Sequence, residues 1–489
     1  QYLAGDVRTK LAEAQAAAQN EPRFAANIPA LEAAQPAHIS ISDVQIRLGV
    51  PWVPVEDYQR FLAHTLDLPL PNVTVHYNPP MAKWDITVQW GGQARSVANT
   101  ETWGVEGWSG DRLAAAAMNM QQPTIRQPDP NDPTGEKTIP NPQATLVLRD
   151  KMQRLQLAFQ EWVLTDPLVA QRLETIFNET MNRFVAPVYD GSHLELPGLS
   201  PAFTMRPHQK NAIWRGVQEG TVFFAHSVGA GKTAVMAGTA MELRRIGQAR
   251  KPVILVPNNL ITQWPAEFLR YYPAARILAA TQQDLEKDRR QQFFGRIATG
   301  DWDSVILPYS SFQFIPVSDE LFNRFLQQEL QTLESYLTQY RAELGKNHAT
   351  VKDLEKAKKR LEAKLKIRRD VERQSKLLTW EELGVDSLFV DEAHSYKNLF
   401  LSTKMGRIAG VSTSDAKRAF DLFTKVRYLQ ELMNGRNVFF ASGTPISNSI
   451  QEAYTIQRYL QPQMLEALDS AHFDAWANNF GDLRTRMEV

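Results

Sequence analysis

Two short clusters carry residue types suited to chemistry on a polyphosphate. The first, Val222 to Met236 (VFFAHSVGAGKTAVM), is an apolar run that breaks at Gly229 and Gly231 and restarts after Lys232-Thr233. Glycines at those positions let the amides of a loop and of a helix N-terminus converge on phosphate oxygens, while Lys232 adds a point charge and Thr233 a hydroxyl for magnesium. The second cluster, Asp391-Glu392-Ala393-His394, directly follows the apolar run Ser387 to Val390. It supplies what such a loop lacks: Asp391 to hold magnesium through its water shell, and Glu392 to orient and deprotonate an attacking water. His226 stands where a strict phosphate-loop pattern has its first glycine. Read alone, the loop therefore leaves open a plain glycine turn with a solvated lysine.

Further candidates sit at the ends of other apolar runs. Arg206-Pro207-His208-Gln209 precedes a short helix and the strand that feeds the loop, and Gln209 could pair with both hydrogen-bonding positions of an adenine edge. By itself an Arg-Pro-x-Gln turn is commonplace. Val253 to Pro257 is followed by Asn258, Gln263, Trp264 and Glu267; Ser304 to Leu307 leads into Tyr309-Ser310-Ser311; Val438 to Ala441 ends in Ser442-Gly443-Thr444-Pro445. Five apolar strands with polar clusters at their carboxyl ends and helical sequence between them predict an α/β fold, a parallel sheet whose strand ends form one ligand-binding crevice.

In that order, RPHQ, SVGAGKT, VPNNLITQWPAEF, VDEAH and SGTPISNSIQE resemble the first RecA-like lobe of superfamily 2 helicases, and the QW-x-x-EF and GTPI-x-N forms are similar to Swi/Snf-type translocases on double-stranded DNA. The resemblance implies a P-loop NTPase using ATP and Mg2+. It implies that Arg206, Gln209, Gly229, Gly231, Lys232 and Thr233 contact nucleotide, and that Thr233 and Asp391 hold the metal. Lys232, Asp391 and Glu392 would serve hydrolysis, and His394, Gly443, Thr444 and Pro445 would couple nucleotide state to DNA grip. Asn258, Gln263, Ser310, Lys404 and Arg407 are candidate DNA contacts. The flanks, with GSHLELPG, KNLFLSTKMGRIAG and HFDAWANNFG, resemble the helicase part of large phage and plasmid proteins that join an adenine methylase to such a motor and are linked to antirestriction or phage defence. The function expected is an ATP-dependent DNA translocase or helicase motor. The alternative is an ATP-gated DNA-binding scaffold that positions DNA for a fused adenine methyltransferase.

The elements that must position these residues follow from periodicity. Residues 201–460 form the expected RecA-like lobe, with 319–376 inserted as an antiparallel helical hairpin whose second arm is basic. Ahead of it are expected a mostly helical α+β accessory domain over 1–120, a proline-rich linker over 121–143 and a helical connector over 144–200. Within the accessory domain, Ser42-Asp43 and Gly49-Pro51 bracket one expected short helix, a second begins at Val55, and Val73 to Tyr77 with Trp84 to Trp90 predict a hairpin. Asn78-Pro79-Pro80 begins the motif with which amino-methyltransferases hold an amine, but Met81 occupies its aromatic position, so a proline turn is expected. Residues 461–489 would begin the connection to a second RecA lobe. No second set of strands follows and the chain opens on Gln1, so it is expected to be an internal part of a longer protein that also holds that lobe and possibly a methyltransferase.

Composition narrows the rest. The 489 residues contain no cysteine, which removes disulfides, cysteine-ligated zinc and cysteine nucleophiles together. Lys plus Arg and Asp plus Glu balance at 54 each, so nucleic-acid binding must use a local groove. No apolar run approaches the roughly 18 residues of a membrane span, so no membrane partner and a cytoplasmic setting are expected.

Overall fold

The computed structural model describes residues 2–78, 83–89, 96–130, 138–281, 283–344, 352, 355, 358, 359, 362, 377–399, 417–447, 449–468 and 470–481. Chain contacts divide it into two units, one of residues 1–188, 403–408 and 468–489, the other of residues 189–402 and 409–467.

The second unit is built on a six-stranded parallel sheet. Its strands are β1 (Thr221–Phe224), β2 (Pro252–Val256), β3 (Ile277–Ala279), β4 (Ser304–Pro308), β5 (Ser387–Val390) and β6 (Val438–Ala441), in spatial order β1-β6-β5-β2-β4-β3. The five expected strands are present, and β3, a three-residue edge strand paired to β4, is added. β2, β4, β5 and β6 are buried along their whole length, as continuous apolar runs in a sheet covered on both faces should be. Alternate residues serve two cores: Val253, Leu255, Leu388, Val390, Val438 and Phe440 face one, and Ile254, Val256, Phe389 and Phe439 the other. Phe224, Phe439 and Phe389 stack across β1, β6 and β5, with ring centroids 6.1 and 4.5 Å apart. Each such pair adds about 0.5–1.5 kcal/mol beyond its buried area, and the stack pins the register of the three strands that carry the chemistry. These features are the RecA-like α/β lobe expected.

Of the expected insertion, the helix Asp319–Leu344 and a few positions beyond it are described. Arg341 pairs with Glu355 at 2.6 Å and Glu334 with Lys358 at 2.8 Å, so partners converge as an antiparallel hairpin requires.

The first unit is α+β. The helices Pro142–Thr165 and Pro167–Thr180, broken by Pro167, send Leu155, Phe159, Val163, Val169 and Leu173 into the same core as Tyr58, Phe61, Leu62 and Trp84. The expected hairpin forms, from Val73–Asn78 and Lys83–Val88, and the proline-rich stretch contains a second small antiparallel pair, Arg126–Pro128 with Thr138–Pro140. The helix from Val55 forms, but the one expected before it does not. Beyond a single turn at Ile41–Asp43 no helix follows: Val44, Ile46 and Leu48 bury alternate residues, a strand period rather than a helical one, and the chain then turns at Leu48-Gly49. The turn at Pro79-Pro80 lies outside the described residues.

Candidate functional site

β6 lies between β1 and β5, so the carboxyl ends that carry the glycine loop, Ser442 to Pro445, and the acidic pair are neighbours. From β1 the chain enters the loop, where Gly229 and Gly231 hold φ of +84° and +86°, a region that side chains with a Cβ rarely adopt. The helix Lys232–Arg245 starts at once, and no side chain caps it. Its first-turn amides have no partner within the helix, a geometry able to receive an anion. A Cβ on Gly229 would meet nothing within 4 Å, whereas one on Gly231 would lie 2.1 Å from Gln209 Nε2. Lys232 Nζ donates to the His226 carbonyl at 3.4 Å, and Thr233 is half-buried beside it.

Gln209 is buried over this loop. Its Oε1 accepts from the Arg206 amide at 2.8 Å and its Nε2 donates to the Ala230 carbonyl at 3.1 Å, so both ends of the amide are engaged within the protein. Arg206 is exposed at the head of the same helix, Pro207–Glu219. His208 Nε2 lies 3.1 Å from the same carbonyl, and its ring stands 5.8 Å from that of His226. Burial first, then the charges of His208 and Lys232, hold His226 below the ordinary histidine range.

The acidic side is closed and wired. Asp391 is 5% exposed; its Oδ2 accepts from Trp264 Nε1 at 2.9 Å and its Oδ1 from the Glu392 amide at 3.0 Å. Burial raises its pKa and the Glu392 charge adds to that, against the opposing Trp264 hydrogen bond and Lys232 charge. Glu392 is a non-glycine residue at φ +48°, which costs about 1–3 kcal/mol unless its surroundings hold it. Its Oε2 lies 3.2 Å from His394 Nδ1, which in turn is 3.0 Å from Ser442 Oγ. Ser442 Oγ also accepts from the Thr444 amide at 3.1 Å, so the acidic pair and the Ser-Gly-Thr-Pro turn share one hydrogen-bond chain. A second link runs from Lys397 to Glu452 at 2.7 Å and to Ser447 at 2.6 Å. Gly443 packs on the loop itself, since a Cβ there would stand 3.4 Å from Lys232 Nζ and 3.0 Å from the Val228 side chain. Pro445 is half-buried behind it.

Among the candidate DNA contacts, Asn258 and Ser310 are brought together: the Ser310 amide donates to Asn258 Oδ1 at 3.1 Å. Gln263 is exposed at the first position of the helix Gln263–Tyr271. Lys404 and Arg407 lie outside the described residues. Trp264, Tyr309 and Ser442 had no role assigned from sequence, yet they hold Asp391, its backbone and His394; Tyr309 and Ser442 directly follow β4 and β6, and Trp264 belongs to the QW-x-x-EF form.

The donor set fits a magnesium nucleotide. Among the described residues no group of three or more His, Cys, Asp or Glu side chains could hold a metal by itself. A hard cation at Thr233 and Asp391 therefore needs phosphate and water oxygens to complete its shell, which is how Mg2+ is bound. The glycine cradle and the uncapped helix offer the phosphate its partners.

A family model described as "Probable helicase domain" matches residues 214–489, more than half of the chain. The chain belongs to that family. The helicase domain so matched contains the glycine loop, the acidic pair and the Ser-Gly-Thr-Pro turn, while Arg206 and Gln209 precede its first matched residue. A second model, a domain of unknown function (DUF8437), matches residues 47–183. Among curated proteins the helicase-domain chain is 21% identical over 369 residues to "Defense against restriction protein B" of Escherichia phage P1, covering 64% of the chain and 16% of that protein. It is 37% identical over 92 residues to "Uncharacterized ATP-dependent helicase YqhH" of Bacillus subtilis, covering 18% of the chain and 16% of that protein. The chain thus spans about a sixth of the length of each of these relatives. Among solved structures it matches the Sulfolobus solfataricus SWI2/SNF2 ATPase core in complex with dsDNA, with TM-score 0.33 and 15% identity, over 59% of this chain and 41% of that one. Among the described residues no helix is long and apolar enough to cross a membrane.

Proposed function

We propose that the chain is the first RecA-like lobe of an ATP-driven translocase on duplex DNA, within a larger protein concerned with antirestriction or phage defence. The observation that carries this is the adjacency of three strand ends: β1 brings the glycine loop, β5 the acidic pair, and β6 between them the turn hydrogen-bonded to His394. The choice of duplex DNA rests on the QW-x-x-EF and GTPI-x-N forms, and the antirestriction setting on the similarity to the phage protein.

In this reading the amides of the loop and of the first turn after Gly231 bind the phosphates, and Lys232 neutralises the terminal one. Mg2+ held by Thr233 and Asp391 supplies further charge neutralisation on the phosphate oxygens. Glu392 accepts the proton of the attacking water, and the hydrogen-bond chain through His394 and Ser442 passes the nucleotide state to Thr444 and Pro445. Gln209 recognises adenine after giving up its contact to the Ala230 carbonyl. Asn258, Gln263 and Ser310 meet the DNA backbone, with Lys404 and Arg407 as further cations. A second lobe in the same protein contributes the cationic side chains that stabilise charge on the transferring phosphoryl, an effect of about three to five orders of magnitude in related NTPases.

The test is turnover and nucleotide binding in the intact protein. Lys232→Ala should lose both, whereas Glu392→Gln should lose turnover and keep nucleotide. Hydrolysis that survives either change rules the assignment out.

A further inference from the structure

Glu392 needs something to hold it. Its φ of +48° and ψ of 50° lie in the left-handed region, and a side chain with a Cβ stays there only where its surroundings fix the backbone. The Glu392 amide donates to Asp391 Oδ1 at 3.0 Å and its carbonyl accepts from the Ser395 amide at 3.0 Å; the contact from outside this segment is the hydroxyl of Tyr309, the residue immediately after β4, which donates to the carbonyl of Asp391 and, at 3.1 Å, to that of Glu392. Burial, with the neighbouring Tyr396 and Asp391, pushes the Tyr309 phenol above its ordinary range. The ring is 7% exposed and meets Tyr396 edge-on at 5.0 Å. Arg418 closes the cluster: it lies over both rings and donates to the Ser395 carbonyl at 2.7 Å.

We propose that Tyr309 is a positioning residue for hydrolysis, whose hydroxyl holds the Glu392 backbone so that its carboxylate is aimed, and which carries contacts at Ser310 and Asn258 to that carboxylate. The inference rests on the reading of Glu392 as the base. Tyr309 acts through two carbonyls. The next residue, Ser310, donates its amide to Asn258 Oδ1, so a strand of DNA seated on Asn258 and Ser310 lies one peptide away from the phenol. Moving that peptide moves the hydroxyl and with it the Glu392 backbone. Stimulation of hydrolysis by DNA then has a path within this one lobe.

The test is Tyr309→Phe in the intact protein, which removes one oxygen and keeps the ring against Tyr396. ATP turnover with and without duplex DNA, nucleotide affinity and thermal melting are measured together. Turnover should fall about tenfold or more, because a misplaced catalytic group is costly, while nucleotide affinity stays within about twofold. Stimulation by DNA should shrink, and 4-aminophenylalanine at 309, which returns a donor to the same place, should restore turnover. Unchanged turnover, a loss that the amine does not restore, or a loss matched by falling melting temperature would overturn the proposal. If the Phe variant does not fold, amide exchange over residues 393–395 of the native protein takes its place: DNA should change it, and no change overturns the coupling. Glu392→Gln separates the two failures, since an active Glu392→Gln protein defeats the reading of the base itself. A fully active Tyr309→Phe beside a dead Glu392→Gln defeats only the role of Tyr309.

Discussion

The two halves of the site are built on opposite principles. The glycine loop is open: Gly229 has nothing within 4 Å of where its Cβ would be, Val228 is 85% exposed, and no side chain caps the helix that follows. The acidic half is closed: Asp391 is buried under Trp264, Tyr309 clamps the backbone, and Glu392, His394 and Ser442 are mutually bonded. One half waits for a ligand to satisfy it, and the other is satisfied beforehand. Substitutions in the loop should therefore act on binding, and substitutions in the acidic cluster on turnover after binding.

The sharpest separation is Lys232→Ala against Glu392→Gln. Both should reduce ATP turnover by at least about a hundredfold, the size expected when a charge or a base aimed at the transition state is removed. In equilibrium binding with a fluorescent nucleotide only the lysine variant should lose affinity, and equal losses would erase the distinction between the halves. Next comes Gly231→Ala against Gly229→Ala. Both strain a left-handed position, but only at 231 does the new methyl strike Gln209 Nε2, 2.1 Å away. Nucleotide affinity should drop about tenfold or more at 231 and by severalfold at 229, where strain of order 1 kcal/mol acts alone.

Ser442→Ala breaks the chain from His394 to Thr444 without touching the loop. It should reduce turnover about tenfold with affinity unchanged, the loss of one buried hydrogen-bonding partner being about 1–3 kcal/mol. The smallest effect is on stability. The Asp391 pKa is raised above 3.8, so its carboxyl favours the nucleotide-free fold when protonated, and that contribution is lost as pH rises through the raised value. Asp391→Asn, inactive as an ATPase, should melt level with wild type in acid and a few degrees, roughly 2–4 °C, above it at neutral pH. A variant that melts lower at neutral pH would show that the Trp264 contact outweighs burial.

How much of this the sequence discloses depends on how local the determinant is. β2, β4, β5 and β6 are legible because a continuous apolar run ending in a polar cluster is read within one window. β3 is not, because Ile277–Ala279 is only three residues long. The non-helical stretch from Val44 to Leu48 is misread as a helix because a capping pair and a glycine stop are stronger local cues than three alternate buried residues. The chemistry of the loop and the acidic pair is legible because each is contiguous. Their wiring is not, since Trp264 is 127 residues from Asp391 and Tyr309 is 83 from Glu392. Only the strand order brings those partners together.

That order also has a consequence for how the protein is made. β1, at the sheet edge, pairs only with β6, whose first residue is 438. A chain leaving the ribosome therefore carries its glycine loop on an unpaired strand for more than two hundred residues, and the β5 edge that flanks the gap stays bare from Val390 until Val438. Such distant closure folds slowly, and exposed strand edges invite aggregation. Truncations ending before Val438 should accumulate as insoluble protein, whereas those that retain the strand should not.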